Sequence, residues 1–94
     1  MKYEIIITST FEKELKIYKK RNRDLSKLTK IINKLANGEK LDEKNRDHQL
    51  TNSARFINCR ECHIEPDWLL VYKKNEDSLI LFLIETETHS DLFN

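Results

Sequence analysis

Two apolar runs in the second half, Trp68-Leu69-Leu70-Val71-Tyr72 and Leu79-Ile80-Leu81-Phe82-Leu83-Ile84, restrict the fold of this chain more than any other feature. Each is short and rich in branched and aromatic residues, so each reads as a strand, and the polar stretch Asn75-Glu76-Asp77-Ser78 supplies the turn between them. The second run has no polar alternation, which is the pattern of a central strand covered on both faces. Residues 54 to 64 are mixed in character and read as a further strand, and Pro66 falls at its boundary, where a missing N–H does least harm.

The first half has a different period. Ile5-Ile6-Ile7 lies within a short strand over residues 3 to 8. Ser9 followed by Glu12 has the form of a capping box, and Phe11, Leu15 and Tyr18 recur at helical spacing, so a helix is predicted over residues 10 to 22. Asp24 caps a second helix whose stripe is Leu25, Leu28, Ile31, Ile32 and Leu35, and Asn37-Gly38 stops it. Residues 39 to 53 lack apolar periodicity and read as a long surface loop, of the kind that often carries function. In the tail, Thr88 or Ser90 is a candidate cap for a last helical turn ending in Leu92-Phe93. The expected fold class is α+β, in the order β-α-α-β-β-β, with a helical hairpin on one face of a mainly antiparallel sheet. Ninety-four residues leave room for one domain, residues 1 to 94, and a single Gly and a single Pro describe an ordered chain.

The N-terminal apolar run is too short and too charged for a signal peptide, and no segment approaches the roughly 20 apolar residues of a membrane span, so a cytoplasmic protein with no membrane partner is expected. Cys59-Arg60-Glu61-Cys62-His63 matches the spacing of a haem attachment motif. On a strand, however, an offset of three sends the two thiols to opposite faces, so plain structural cysteines are expected, with no metal and no cofactor.

Net charge is only +1, but residues 1 to 48 hold 13 Lys/Arg against 8 Asp/Glu, whereas residues 49 to 94 hold 4 against 8. Lys27, Lys30 and Lys34 share one helix face, behind a connection carrying Lys19, Lys20, Arg21 and Arg23. A polyanion-facing ridge and an ordinary solvated helix surface are both compatible with that pattern. His48, His63 and His89 all lie in strand ends or loops, and imidazole can both take and give a proton at cellular pH. Trp68, at the head of an apolar strand, reads more readily as core than as site.

Three blocks, Asp47-His48-Gln49-Leu50, the run from Arg60 to Lys73 with His63-Ile64-Glu65-Pro66-Asp67-Trp68 at its centre, and Thr88-His89-Ser90-Asp91-Leu92-Phe93, resemble the hallmarks of YafQ-type toxins of the RelE superfamily. The resemblance implies a ribosome-dependent endoribonuclease that needs no metal and uses the ribose 2′-hydroxyl to attack the adjacent phosphate. It places His48, His63, Asp67 and His89 at the catalytic positions and Phe93 near the substrate base. It further implies a cognate antitoxin of the ribbon-helix-helix (DinJ) type, the ribosome and mRNA as partners, and operator DNA reached through the antitoxin complex. Lys27, Lys30 and Lys34 then become candidates for ribosomal RNA contact.

At one position the sequence departs from the family. Where such toxins carry an Arg shortly before the last His, this chain reads Glu85-Thr86-Glu87-Thr88-His89, with no Lys or Arg in residues 75 to 94. Loss of a preorganised donor to a developing oxyanion typically costs about 2.7 to 4 kcal/mol, so activity is reduced unless Arg55, Arg60 or Lys73 substitutes. The alternative is an attenuated RelE-fold module acting mainly in antitoxin binding and transcriptional autoregulation. A gyrase-poisoning relative would not need the histidine set, and an unrelated α+β domain would not carry the three blocks together.

Overall fold

Thr8 decides where the first helix begins. Its hydroxyl accepts a hydrogen bond from Phe11 N at 3.1 Å while donating to the Ile84 carbonyl at 2.6 Å, so one side chain caps the helix and ties it to a distant strand. The computed structural model describes residues 1–51 and 53–88. Along the chain come β1 (Glu4–Ile7), α1 (Ser9–Lys20), α2 (Ser26–Ala36), a 3-10 turn (Glu43–Asn45), β2 (His48–Gln49), β3 (Arg60–Glu65), β4 (Trp68–Asn75) and β5 (Ile80–Thr88). The strands form one sheet in the order β1-β5-β4-β3-β2, with β1 parallel to β5 and every other pair antiparallel.

The α+β class, the helical hairpin and the antiparallel character stand as expected. Helix α2 ends at Gly38, whose φ of +78° allows the left-handed closing turn in which Glu39 N donates to Lys34 O. At the start of α2 the N-cap position falls on Leu25 and not on Asp24, which stands one residue earlier and accepts from Ser26 N at 2.9 Å. The cap of α1 is one residue earlier than the Ser9 capping box, because Thr8 alone can reach both Phe11 and Ile84.

Both helices lie against one face of the sheet. Phe11, Leu28 and Leu35 meet Trp68, Leu70, Tyr72, Leu81 and Leu83 in a continuous core. Trp68 is 1% exposed, sits edge-on to Tyr18 at 6.0 Å and donates Nε1–H to Thr86 Oγ1 at 2.9 Å, which settles it as core. Two expectations are corrected here. The helices cover only one face of β5, since the pleat sends Leu81 and Leu83 inward and leaves Ile80 and Phe82 on the other side. β5 also runs past its apolar run to Thr88, because Thr86 and Thr88 are buried on the helix side. Thr88 is therefore the last residue of the strand, and the helical turn expected after it lies outside the described residues.

Candidate active site

Strand pairing decides which side chains share the face away from the helices. Arg60 pairs with Tyr72 and Cys62 with Leu70, so the even positions of β3 belong to the helix side. The odd positions, Glu61 and His63, therefore point to the open face. His48 is the partner of Glu61 across the β2–β3 pairing, so it joins them, and Val71 and Glu85 extend the same row across β4 and β5. His63 stands one row further along, opposite Leu69 and then Glu87. Two positions along a strand amount to roughly 6.6 Å, so His48 and His63 occupy one patch about the size of a nucleotide's phosphate and ribose.

Each imidazole is held through the same atom. His48 Nδ1 lies 2.6 Å from the Arg46 carbonyl, and His63 Nδ1 lies 3.2 Å from the Pro66 carbonyl. A carbonyl only accepts, so in both rings Nδ1 carries the hydrogen and Nε2 is left as the atom that takes or gives a proton. His48 Nε2 lies 3.6 Å from Glu61 Oε1. Asp67 is exposed in the turn between β3 and β4, just beyond the carbonyl that holds His63. His89 and Phe93 lie outside the described residues.

Glu61 was missed in the sequence, although it stands two places before His63 on a predicted strand and so had to share its face. Asn45 was missed as well. It is 7% exposed and donates Nδ2–H to the His63 carbonyl at 2.8 Å, which fastens the preceding loop to the strand carrying the histidine.

Further along the open face, Thr8, Thr10, Arg55, Phe56, Ile57, Cys59, Lys73, Ile84 and Glu85 line a groove of about 430 Å³. Glu85 is buried, and Arg55 donates to it at 3.1 Å from a side chain that is 70% exposed. Glu14 reaches the same place from α1, where Oε1 accepts from Thr86 N at 3.1 Å and so caps the edge of β5. Among the described residues, Glu14, Glu85 and Glu87 form the group whose geometry could hold a cation, with one oxygen from each within 4.8 Å of the others. Acid thus replaces the expected base at Glu85, and Arg55 supplies a positive group directly beside it.

Arg60 lies on the helix side of the sheet, where its Nε donates to Asp47 at 3.2 Å and to the Tyr72 hydroxyl at 3.3 Å. That leaves Arg55 and Lys73 as the cations bordering the open-face groove. Cys59 and Cys62 are both buried and unpaired, and burial pushes the Cys62 thiol up to about 12, so neither is a reactive thiolate at neutral pH. Lys27, Lys30, Lys34 and Lys44 line a second groove, of about 380 Å³, together with Ile31, Ile64, Pro66 and His63 itself. Lys27 pairs there with Glu65 at 3.3 Å and Lys34 with Asp42 at 3.7 Å. None of the helices among the described residues is long and apolar enough to cross a membrane.

The chain was compared with known proteins and solved structures. A family model described as a bacterial toxin of type II toxin-antitoxin systems, YafQ, matches residues 3–94. An mRNA interferase toxin YafQ of Escherichia coli B / BL21-DE3 is 36% identical over 91 residues, which span 96% of this chain and 95% of the relative. Among solved structures, the toxin of the E. coli DinJ-YafQ toxin-antitoxin complex superposes with a TM-score of 0.81 at 32% identity, covering all of both chains. A metal-bound toxin from Helicobacter pylori gives 0.84 at 38% identity, covering 97% of this chain and 99% of that one. With matches of this length at the level of family, sequence and fold, the chain belongs to the YafQ family of bacterial toxins of type II toxin-antitoxin systems.

Proposed function

We propose that this chain is an mRNA interferase toxin, an endoribonuclease that cuts messenger RNA on the ribosome and is neutralised by a DinJ-like antitoxin. One observation carries the reading. His48 and His63 stand on the sheet face away from the helices, each with Nδ1 bound to a carbonyl and Nε2 left for proton transfer. Cleavage by 2′-hydroxyl attack needs that equipment. A base removes the hydroxyl proton, O2′ bonds to phosphorus, and the bond to the 5′-oxygen breaks as an acid protonates it, leaving a 2′,3′-cyclic phosphate. Each positioned acid or base typically contributes about 10² to 10⁴-fold.

In this reading His48, His63 and His89 share the acid and base roles, Asp67 orients a neighbouring imidazolium, and Phe93 packs near the substrate base. Arg55 and Lys73 meet the scissile phosphate from the groove they border. Lys27, Lys30 and Lys34 hold ribosomal RNA, and neutralising each should flatten the log–log salt dependence of ribosome binding by roughly 0.7 to 0.9. The protein acts in the cytoplasm and reaches operator DNA through its antitoxin. The acids Glu14, Glu85 and Glu87 favour a second reading, in which cleavage is weak and antitoxin binding is the main retained task.

The test is purified protein on programmed ribosomes. Fragments ending in a 2′,3′-cyclic phosphate are the expected result. Intact message under conditions where the antitoxin still binds would leave only the second reading.

A further inference from the structure

His48 lies in the shortest strand of the sheet, and two residues of pairing cannot hold a strand in place by themselves. Its ring depends on the carbonyl of Arg46, and Arg46 has φ 46° and ψ 46°, a left-handed conformation that a residue with a Cβ keeps only when its surroundings enforce it. Something outside the strand must therefore fix this segment. The next residue, Asp47, sends its carboxylate to the helix side of the sheet while His48 faces the open side, as neighbouring strand residues do. There Asp47 Oδ1 accepts from the Tyr72 hydroxyl at 2.5 Å and from Arg60 Nε at 3.2 Å, and Arg60 Nε also donates to that hydroxyl at 3.3 Å. Tyr72 is fully buried in the central strand. A short, charge-assisted bond in such surroundings is strong and is costly to leave half-made.

We propose that Asp47 is a positioning residue for His48. Clamped by Tyr72 and Arg60 behind the sheet, it sets the backbone turn that presents the His48 imidazole to the substrate face. The proposal rests on the reading of His48 as a site residue. The clamp is built from the rigid middle of the sheet, so the loop before β2 takes its geometry from β3 and β4 and not from its own sequence. Asn45 fixes the other end of the same segment, on the carbonyl of His63. Burial and the Asp47 carboxylate hold the Tyr72 phenol well above its ordinary value, so it remains a hydrogen-bond donor at neutral pH.

Asp47→Ala and Tyr72→Phe are the variants to test, the second keeping the ring that fills the core. A displacement of about 1 Å at a reacting group costs up to roughly 10²-fold, so kcat should fall about 10-fold or more while KM stays within twofold. In ring nitrogen-15 spectra the Nδ1–H tautomer of His48 should give way to an averaged signal, with His63 unchanged. Asp47→Asn, which still accepts from Tyr72, should recover most of kcat. In a His48→Ala background Asp47→Ala should cost nothing further, because a positioning residue has nothing left to position.

Folded variants that keep kcat within twofold and leave the His48 signal unaltered would overturn the proposal, as would an equal further loss in the His48→Ala background. Should Tyr72→Phe fail to fold, Asp47→Ala and Asp47→Asn give the same comparison. If His48→Ala itself cuts like wild type, the catalytic reading of His48 fails, and the tautomer spectra still decide whether Asp47 holds the ring.

Discussion

The two faces of this sheet are cut from the same strands yet have opposite chemistry. On the helix side Leu70 and Tyr72 are completely buried, and the polar groups bond to one another, the Trp68 indole to Thr86 and the Tyr72 hydroxyl to Asp47. On the other side the intervening positions are Glu61, His63, Val71, Glu85 and Glu87, with His48 alongside. The difference teaches how so small a chain carries both a core and a site. The pleat assigns every second residue to stability and leaves its neighbour for chemistry, so His63 stands on a strand whose other face belongs to the core. A slip of one residue in pairing would exchange the two sets, which is why the register is strongly specified.

The largest expected effect breaks the helix side. Trp68→Ala removes a buried indole and the partner of Thr86, and should cost about 3 to 5 kcal/mol in denaturant unfolding. A loss below about 1 kcal/mol would show that the core does not depend on that face. Next comes the open face. Glu85→Arg restores a cation beside the groove and should raise ribosome-dependent cleavage, by up to about 10²-fold if the acid is what limits the reaction. Stability should fall by about 1 to 3 kcal/mol, because Glu85 is itself buried and the larger cation stands beside Arg55. Unchanged cleavage would mean that the phosphate lies elsewhere.

Thr8→Ala tests the link between the layers. It removes a cap and a tie to Ile84 together and should cost about 1 to 2 kcal/mol, more than an isolated helix cap in a peptide. The smallest effect is on pH. Cys62 and Tyr72 on the helix side have their pKa values raised by burial, so their neutral forms are favoured by folding. That stability is complete below the ordinary thiol value of 9.0 and is lost as pH rises toward about 12, where the Cys62 thiol titrates in the folded protein. Cys62→Ala should make the alkaline limb of the melting profile shallower; an identical limb would contradict the assignment.

Much of the helix side could be read in the sequence, because its signals are periodic. The stripe from Leu25 to Leu35, the two apolar runs and the turn at Asn75 to Ser78 each announce an element locally. The segment from Glu43 to Gln49 could not be read in this way. Asn45 and Asp47 look like any loop residues until His63, Arg60 and Tyr72, all distant in sequence, supply their partners. The start of α1 shifted for the same reason, since the bond from Thr8 to Ile84 spans nearly the whole chain. Among the proposed site residues, the histidines and Asp67 were assigned roles through motif resemblance. Glu61 needed only the strand rule, and the Glu85-Thr86-Glu87-Thr88 alternation already carried the period of a strand with one polar face.

The most direct test of this division between faces is a paired measurement on His48→Ala and His63→Ala: melting temperature beside the single-turnover rate of message cleavage on programmed ribosomes. The account predicts melting within about 2 °C of wild type, as for substitutions outside the core, together with a loss of about 10²-fold or more in rate. Cleavage that survives both substitutions, or that is lost only in step with the fold, would contradict it.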